Sequence, residues 1–138
     1  MSGRRHIHSE NGQAAVEFAL VAPLLAVLLL AILQIGIAFN SYVTLTDATR
    51  AGARKAILIR IGGATPTDAT DAVKSAAGGL SQSDLKVTVA STDWTTAGSD
   101  VTVTATYPYT ISLLKWAGSW VGWSGTYTIT STQKERLE

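Results

Sequence analysis

Between Ala14 and Phe39 only Glu17 and Gln34 are strongly polar, and this run limits what the chain can become more than any other feature. Twenty-six residues rising about 1.5 Å each make a helix of roughly 39 Å, against a hydrocarbon core of roughly 30 Å. An ordinary secretory signal has an apolar region of only about 7–15 residues, followed by a small-residue cleavage site. Here the run is longer and no clear A-x-A site follows it, so a retained membrane helix is expected. Arg4 and Arg5 precede the span, and the positive-inside tendency keeps residues 1–12 in the cytoplasm and everything after Phe39 outside.

Glu17 is the anomaly in that span. A carboxylate at membrane depth is disfavoured by about 2.5–3.5 kcal/mol or more unless it finds a partner, so it is a functional residue by default. Pro23 removes a backbone donor and crowds the preceding turn, which predicts a kink or loosening near Ala19–Pro23. Membrane helices tolerate proline, so the same residue is equally at home in a plain anchor. Ala31, Gly36 and Ala38 are too sparse to define a helix-pairing motif.

The helical period outlasts the apolar run. Tyr42, Leu45, Ala48, Gly52, Ala56 and Ile59 recur at spacings of three or four, forming one apolar stripe, while Asp47 and Arg50 are spaced to pair on another face. Gly62-Gly63 ends the pattern. After a break from Gly62 to Thr67, Asp68–Ala77 reads as a short helix begun by Pro66 or Thr67 and stopped by Gly78-Gly79. Strict alternation follows in Leu85–Val89, Val101–Tyr107 and Tyr127–Thr130, three half-buried strands. The turn around Ala97–Asp100 makes the first two a hairpin, and Pro108 is expected to close the second. The apolar face of such a sheet must be covered, and the two helices are available. The predicted fold is α+β: a membrane-spanning helix over about 13–61, continuing into a small head with a short helix and a three-stranded antiparallel sheet. The chain then divides into a leader (1–12), a transmembrane helix (13–39) and an extracytoplasmic head (40–138).

Composition narrows the function. There are no cysteines, which removes disulfides, thiolate metal sites and cysteine nucleophiles. The chain has 11 basic and 10 acidic residues; Arg4, Arg5 and Glu10 lie in the first twelve, leaving nine of each beyond it. A neutral body gives no electrostatic footprint for nucleic acid and packs beside its copies without long-range repulsion. No catalytic constellation is present. His6 and His8 sit in a basic tail, Asp68 and Asp71 suit the dipole at a helix start, and the glycine pairs lack the lysine and strand of a phosphate loop. The chain is expected to be no enzyme and to need no cofactor or metal. Trp116, Trp120 and Trp123 would share one side of a helix over 111–123. Core or interface packing, an exposed adhesive patch and membrane-surface anchoring all remain open for them.

The block Gly12-Gln13-Ala14-Ala15-Val16-Glu17-Phe18-Ala19-Leu20-Val21-Ala22-Pro23-Leu24-Leu25 resembles the opening of the TadE-like minor pilins of the Tad (tight adherence, Flp-type, type IVc) pilus. Residues Ala38–Ala56 are similar to the same family, and the likeness covers about residues 10–60. It implies cleavage between Gly12 and Gln13 by a prepilin peptidase, which puts Glu17 at mature position five and Phe18 at six. It further implies that Glu17 meets the Gln13 amine of a neighbouring subunit and that other pilins and the Tad assembly machinery are partners; a bend at Pro23, the alternative to a plain anchor's proline, would let the helix tilt into a filament core. The head of about 75 residues after the helix then marks a minor subunit that initiates, caps or decorates the pilus for surface adherence. The residues alone also admit a single-pass, membrane-anchored binding protein or adhesin that does not polymerise.

Overall fold

In the computed structural model, which describes residues 8–111, 115, 122 and 125–137, the apolar run and the amphipathic run after it form one helix, α1 (His8–Ile57). α1 passes through Pro23 without a break. Its last turn loosens before it stops. Leu58 and Ile59 donate to Lys55 and Ala56, three residues back, so regular α-geometry ends at Ile57 rather than near residue 61. The chain still coils to Gly62, which takes φ 72°; Gly63 N–H then reaches the Leu58 carbonyl at 3.0 Å and Gly62 N–H the Ile59 carbonyl at 3.1 Å. This 6→1 and 5→2 pair is the left-handed glycine cap that sequence pointed to at Gly62-Gly63.

α2 (Pro66–Ala76) begins at Pro66, one of the two starts expected, and its cap is Thr65. Thr65 Oγ1 accepts the Asp68 N–H at 3.2 Å, and Asp68 Oδ2 accepts the Thr65 N–H at 2.7 Å. These bonds satisfy two of the donors that every helix start leaves open, and Pro66 at the first position needs none. The hydroxyl and N–H of Thr65 hold the Asp68 carboxyl below its ordinary pKa. We predict that Thr65→Ala lowers head stability by about 1 kcal/mol, read as an earlier thermal transition in detergent; an unchanged transition would mean that α2 adds nothing to the cooperative unit.

The sheet has strands β1 (Lys86–Ser91), β2 (Asp100–Thr110) and β3 (Thr126–Arg136) in that spatial order, antiparallel throughout. Alternation sorts the two faces. Val101, Val103 and Ala105 of β2 point inward and are fully buried, with Val87 and Val89 of β1 and Ile129 of β3 beside them. They meet Leu45, Ala48, Ala53 and Ala56 of α1 and Ala69 and Val73 of α2. The opposite face is threonine-rich: Thr88, Thr104 and Thr132 lie in register, as do Thr106 and Thr130.

Two strand ends differ from the sequence expectation. β2 does not stop at Pro108, which pairs with Thr128, and the strand runs on to Thr110. The Ile111 N–H donates to the Gly125 carbonyl at 2.9 Å, which sets the phase of the ladder and puts Pro108–Thr128 at a non-hydrogen-bonded pair. On its other side β1 has already ended, its last partner being Thr106. Proline is tolerated there because no neighbour among the described residues needs its missing N–H. β3 likewise runs six residues past Thr130. Fully buried Leu137 then clamps the β1–β2 turn, accepting from Gly98 N–H and donating to the Ser99 carbonyl at 2.8 Å.

Candidate assembly site

The described residues of the head leave the N-terminal half of α1 uncovered. Fifteen large apolar side chains from Val16 to Phe39 are exposed, and none of the most apolar window is buried within the chain. At about 1.5–3 kcal/mol for each such side chain fully removed from water, this surface forgoes tens of kcal/mol unless lipid or other helices cover it. The helix is long and apolar enough to cross a membrane, and a membrane anchor is the coarse function this surface supports.

Gly12, Gln13, Glu17, Phe18 and Pro23 all lie on this uncovered half. Nothing stands within 4 Å of where a Gly12 side chain would be, so the backbone there is open to a second protein. Glu17 accepts a hydrogen bond from Gln13 Nε2 at 3.1 Å, one helical turn back. That bond is solvent-exposed and leaves Glu17 further acceptor capacity. Phe18, beside it, is 71% exposed. The five residues share an end of the helix, but they form no pocket and do not converge on a point. The arrangement suits contact with another helix along its length.

Elsewhere among the described residues, two groups of charges pair. Arg50 meets Asp47 at 3.2 Å on the helix surface, the pair anticipated from spacing. Asp100 takes Lys134 at 2.7 Å and Arg136 at 3.6 Å, and chiefly through Lys134 its pKa is lowered. Asp100 and Lys134 rim an open hollow of about 270 Å³ with Ala90, Ser91, Thr92 and Thr102. With its lysine already paired, the hollow offers an anion little. Asp93, bonded by Thr96 and Thr95 in the β1–β2 turn, has its pKa lowered to about 2 and serves to fold that turn. Among the described residues no three His, Asp or Glu side chains group as metal ligands do. Trp116, Trp120 and Trp123 lie outside the described residues; Trp94 packs on the core.

Sequence reasoning missed the contact between head and helix at Gln34, whose carbonyl accepts from Tyr109 Oη at 3.4 Å. The available signal was the Tyr107-Pro108-Tyr109 stretch, alternating onto the inner face beyond the point expected to end the strand. Comparison with known proteins places one part of the chain. Residues 12–54 match the family model of the TadE-like proteins, a segment that holds the candidate site and most of the helix. No curated protein and no solved structure matches the chain.

Proposed function

We propose that this chain, TadE-like over residues 12–54 and carrying one candidate membrane helix, is a minor subunit of a Tad pilus. In this reading it enters the bilayer with residues 1–12 in the cytoplasm and the head outside, a prepilin peptidase cuts after Gly12, and the mature subunit joins or initiates a filament for surface adherence. The observation that carries it is the wholly uncovered apolar half of α1 with Glu17 near its start. A helix apolar all round is made to be surrounded, first by lipid and then by other helices. The one acid on it supplies the specific contact. No catalysis and no cofactor enter the proposal, and nucleic acid is not among the partners. The threonine face and the helix-packed core leave the head as a covering module on the filament surface.

The N-terminal mass of the protein from its native membrane or filament fraction tests this. A start at Gln13 is expected, whereas a chain still beginning at Met1 or Ser2 in the filament fraction would overturn the processing step. Such a chain confined to the membrane fraction would favour an anchored binding protein or adhesin.

A further inference from the structure

β1 and β3 flank β2, and each turns one row of backbone groups away from it. The bond from Ile111 to Gly125 sets the phase, and neither register is interrupted by a bulge. In that phase β1 directs the N–H and C=O of Lys86, Thr88 and Ala90 to β2 and points those of Val87 and Val89 outward. β3 points outward the groups of Thr130, Thr132 and Lys134. Among the described residues nothing bonds to these outward backbone groups. Strand edges that must stay single carry charge, proline or a bulge. Residues 87–90 carry none of these.

The way the head stands on α1 decides which edges can meet. Val103 lies against Gly52 and Tyr109 reaches the Gln34 carbonyl, so β2 runs back along the helix. Copies inserted through α1 in one membrane therefore hold their strands upright and at one height. Two like edges cannot pair under that constraint. A two-fold axis across the strands would turn one helix upside down, and one along the strands would set a core face beside a threonine face. Unlike edges have neither fault. β1 and β3 run in the same direction, both antiparallel to β2, so β1 of one copy beside β3 of the next keeps every helix upright.

We propose that heads of neighbouring copies in the membrane join edge to edge, β1 of one to β3 of the next. This rests on reading α1 as a membrane helix, and the occupant of each edge is a second copy of this chain. At equal height Val87 stands level with Ser131 of the neighbour and Val89 with Gln133, as they do within one sheet. Parallel pairing then makes four bonds. Val87 N–H donates to the Thr130 carbonyl and Val89 N–H to the Thr132 carbonyl, while Thr132 and Lys134 N–H donate back to the carbonyls of Val87 and Val89. The valines stay on the core face and the threonines on the outer face. Charge permits the contact: Lys86 comes level with Thr130 and Ala90 with Lys134, so no like charges meet. Four bonds of about 1 kcal/mol each hold free copies weakly, but a shared membrane concentrates them. Because the contact is head to tail it repeats, and pairs grow into a row.

The chain has no cysteine, so disulfide capture in native membranes can read the pairing. Thr88 and Thr132 are exposed and flank Thr104 in one row of the sheet. Within one head they stand two strand spacings apart, about 9.6 Å, beyond the roughly 7 Å between Cα atoms that a disulfide can span. Across the proposed edge they are one spacing apart. Chains with Thr88→Cys mixed with chains with Thr132→Cys should give a crosslinked dimer on mild oxidation. The double variant should give a series of multimers, and either single variant alone neither. Thr130→Cys in place of Thr132→Cys covers a register shifted by two residues. Val89→Pro removes an outward N–H and leaves the bonds between β1 and β2 intact, so it should abolish the multimers. Ala90→Lys, which sets a lysine against Lys134, should do the same should Val89→Pro weaken the head. Capture by Thr88→Cys alone as strong as in the mixture would overturn the proposal. So would no capture in either register, or multimers indifferent to both Val89→Pro and Ala90→Lys. Release of the chain from membranes by alkaline carbonate would overturn the membrane reading along with it, whereas capture by a chain with an uncleaved leader would leave the pairing standing.

Discussion

Gly52→Ala is expected to destabilise the head, although the same change in an open helix would stabilise it. Gly52 is buried on α1 where α2 crosses. A Cβ built there overlaps Val73 Cγ2, comes within 3.1 Å of the Ala69 carbonyl oxygen and lies 3.5 Å from Val103 Cγ1. The missing side chain is what lets the two helices and β2 close on one another. Alanine gains about 1 kcal/mol of helix propensity over glycine, but inserting a methyl into a close-packed site typically costs about 1–3 kcal/mol. The backbone carbonyl of Ala69 cannot turn aside as a side chain could, so the crowding wins. We expect a net loss of up to about 2 kcal/mol for Gly52→Ala. Gly52→Leu should abolish the cooperative transition of the head, measured by urea unfolding of the full chain in detergent. Val73→Ala alone empties a cavity and costs something near the low end of large-to-small core changes, about 2 kcal/mol. Combined with Gly52→Ala it should cost clearly less than the sum, because each relieves the other. Strict additivity would show that the crossing had slid apart and that Gly52 is no contact point.

That crossing shows what was readable and what was not. Gly52 stood in the apolar stripe of α1 because its spacing placed it there, and Leu45, Ala48 and Ala56 of that stripe are buried as the period required. Tyr42 is the exception, 48% exposed, while Thr49 is fully buried. Hydropathy scores threonine as polar, yet Thr49 donates its hydroxyl to the Leu45 carbonyl at 2.6 Å, which satisfies it within the helix and lets the side chain be buried. β1 and the middle of β2 showed plainly as alternating β-branched runs. The second half of β3 did not, because Thr132, Gln133, Lys134, Glu135 and Arg136 sit on an edge strand where only Leu137, beyond it, is buried. Pro108 misled for a positional reason: a proline ends a strand only where a neighbour needs its N–H, and that depends on where β1 stops. The candidate site was legible as a spacing, Gly12 to Glu17 ahead of an apolar run, and the structure adds its exposure. The contact of Tyr109 with Gln34 spans 75 positions and left no periodic trace.

Glu17→Ala is expected to leave the protein folded and inserted but to remove it from filaments. Glu17 bonds only to Gln13, on an exposed surface, and lies seventeen residues, about 25 Å of helix, from the contact between head and Gln34. Head stability and vesicle association should therefore match the unaltered chain. In the proposed filament the carboxylate faces the Gln13 amine of a neighbouring subunit among apolar helices. Removing one member of a desolvated charge pair strands the other and costs about 2–5 kcal/mol. At about 1.4 kcal/mol for each factor of ten, incorporation should fall by roughly 30- to 3,000-fold, read as the ratio of subunit in the sheared pilus fraction to that in the membrane. Glu17→Gln keeps the shape and the hydrogen bond but not the charge, so it should fail nearly as badly. Gln13→Ala separates the two roles of that residue. It removes the side-chain bond to Glu17, worth about 1 kcal/mol at most in an exposed setting, and keeps the α-amine that cleavage exposes. It should enter filaments at close to the normal level. If Glu17→Ala assembled as well as Gln13→Ala, the charge pair would play no part, and the apolar surface of α1 alone would have to set the register between subunits.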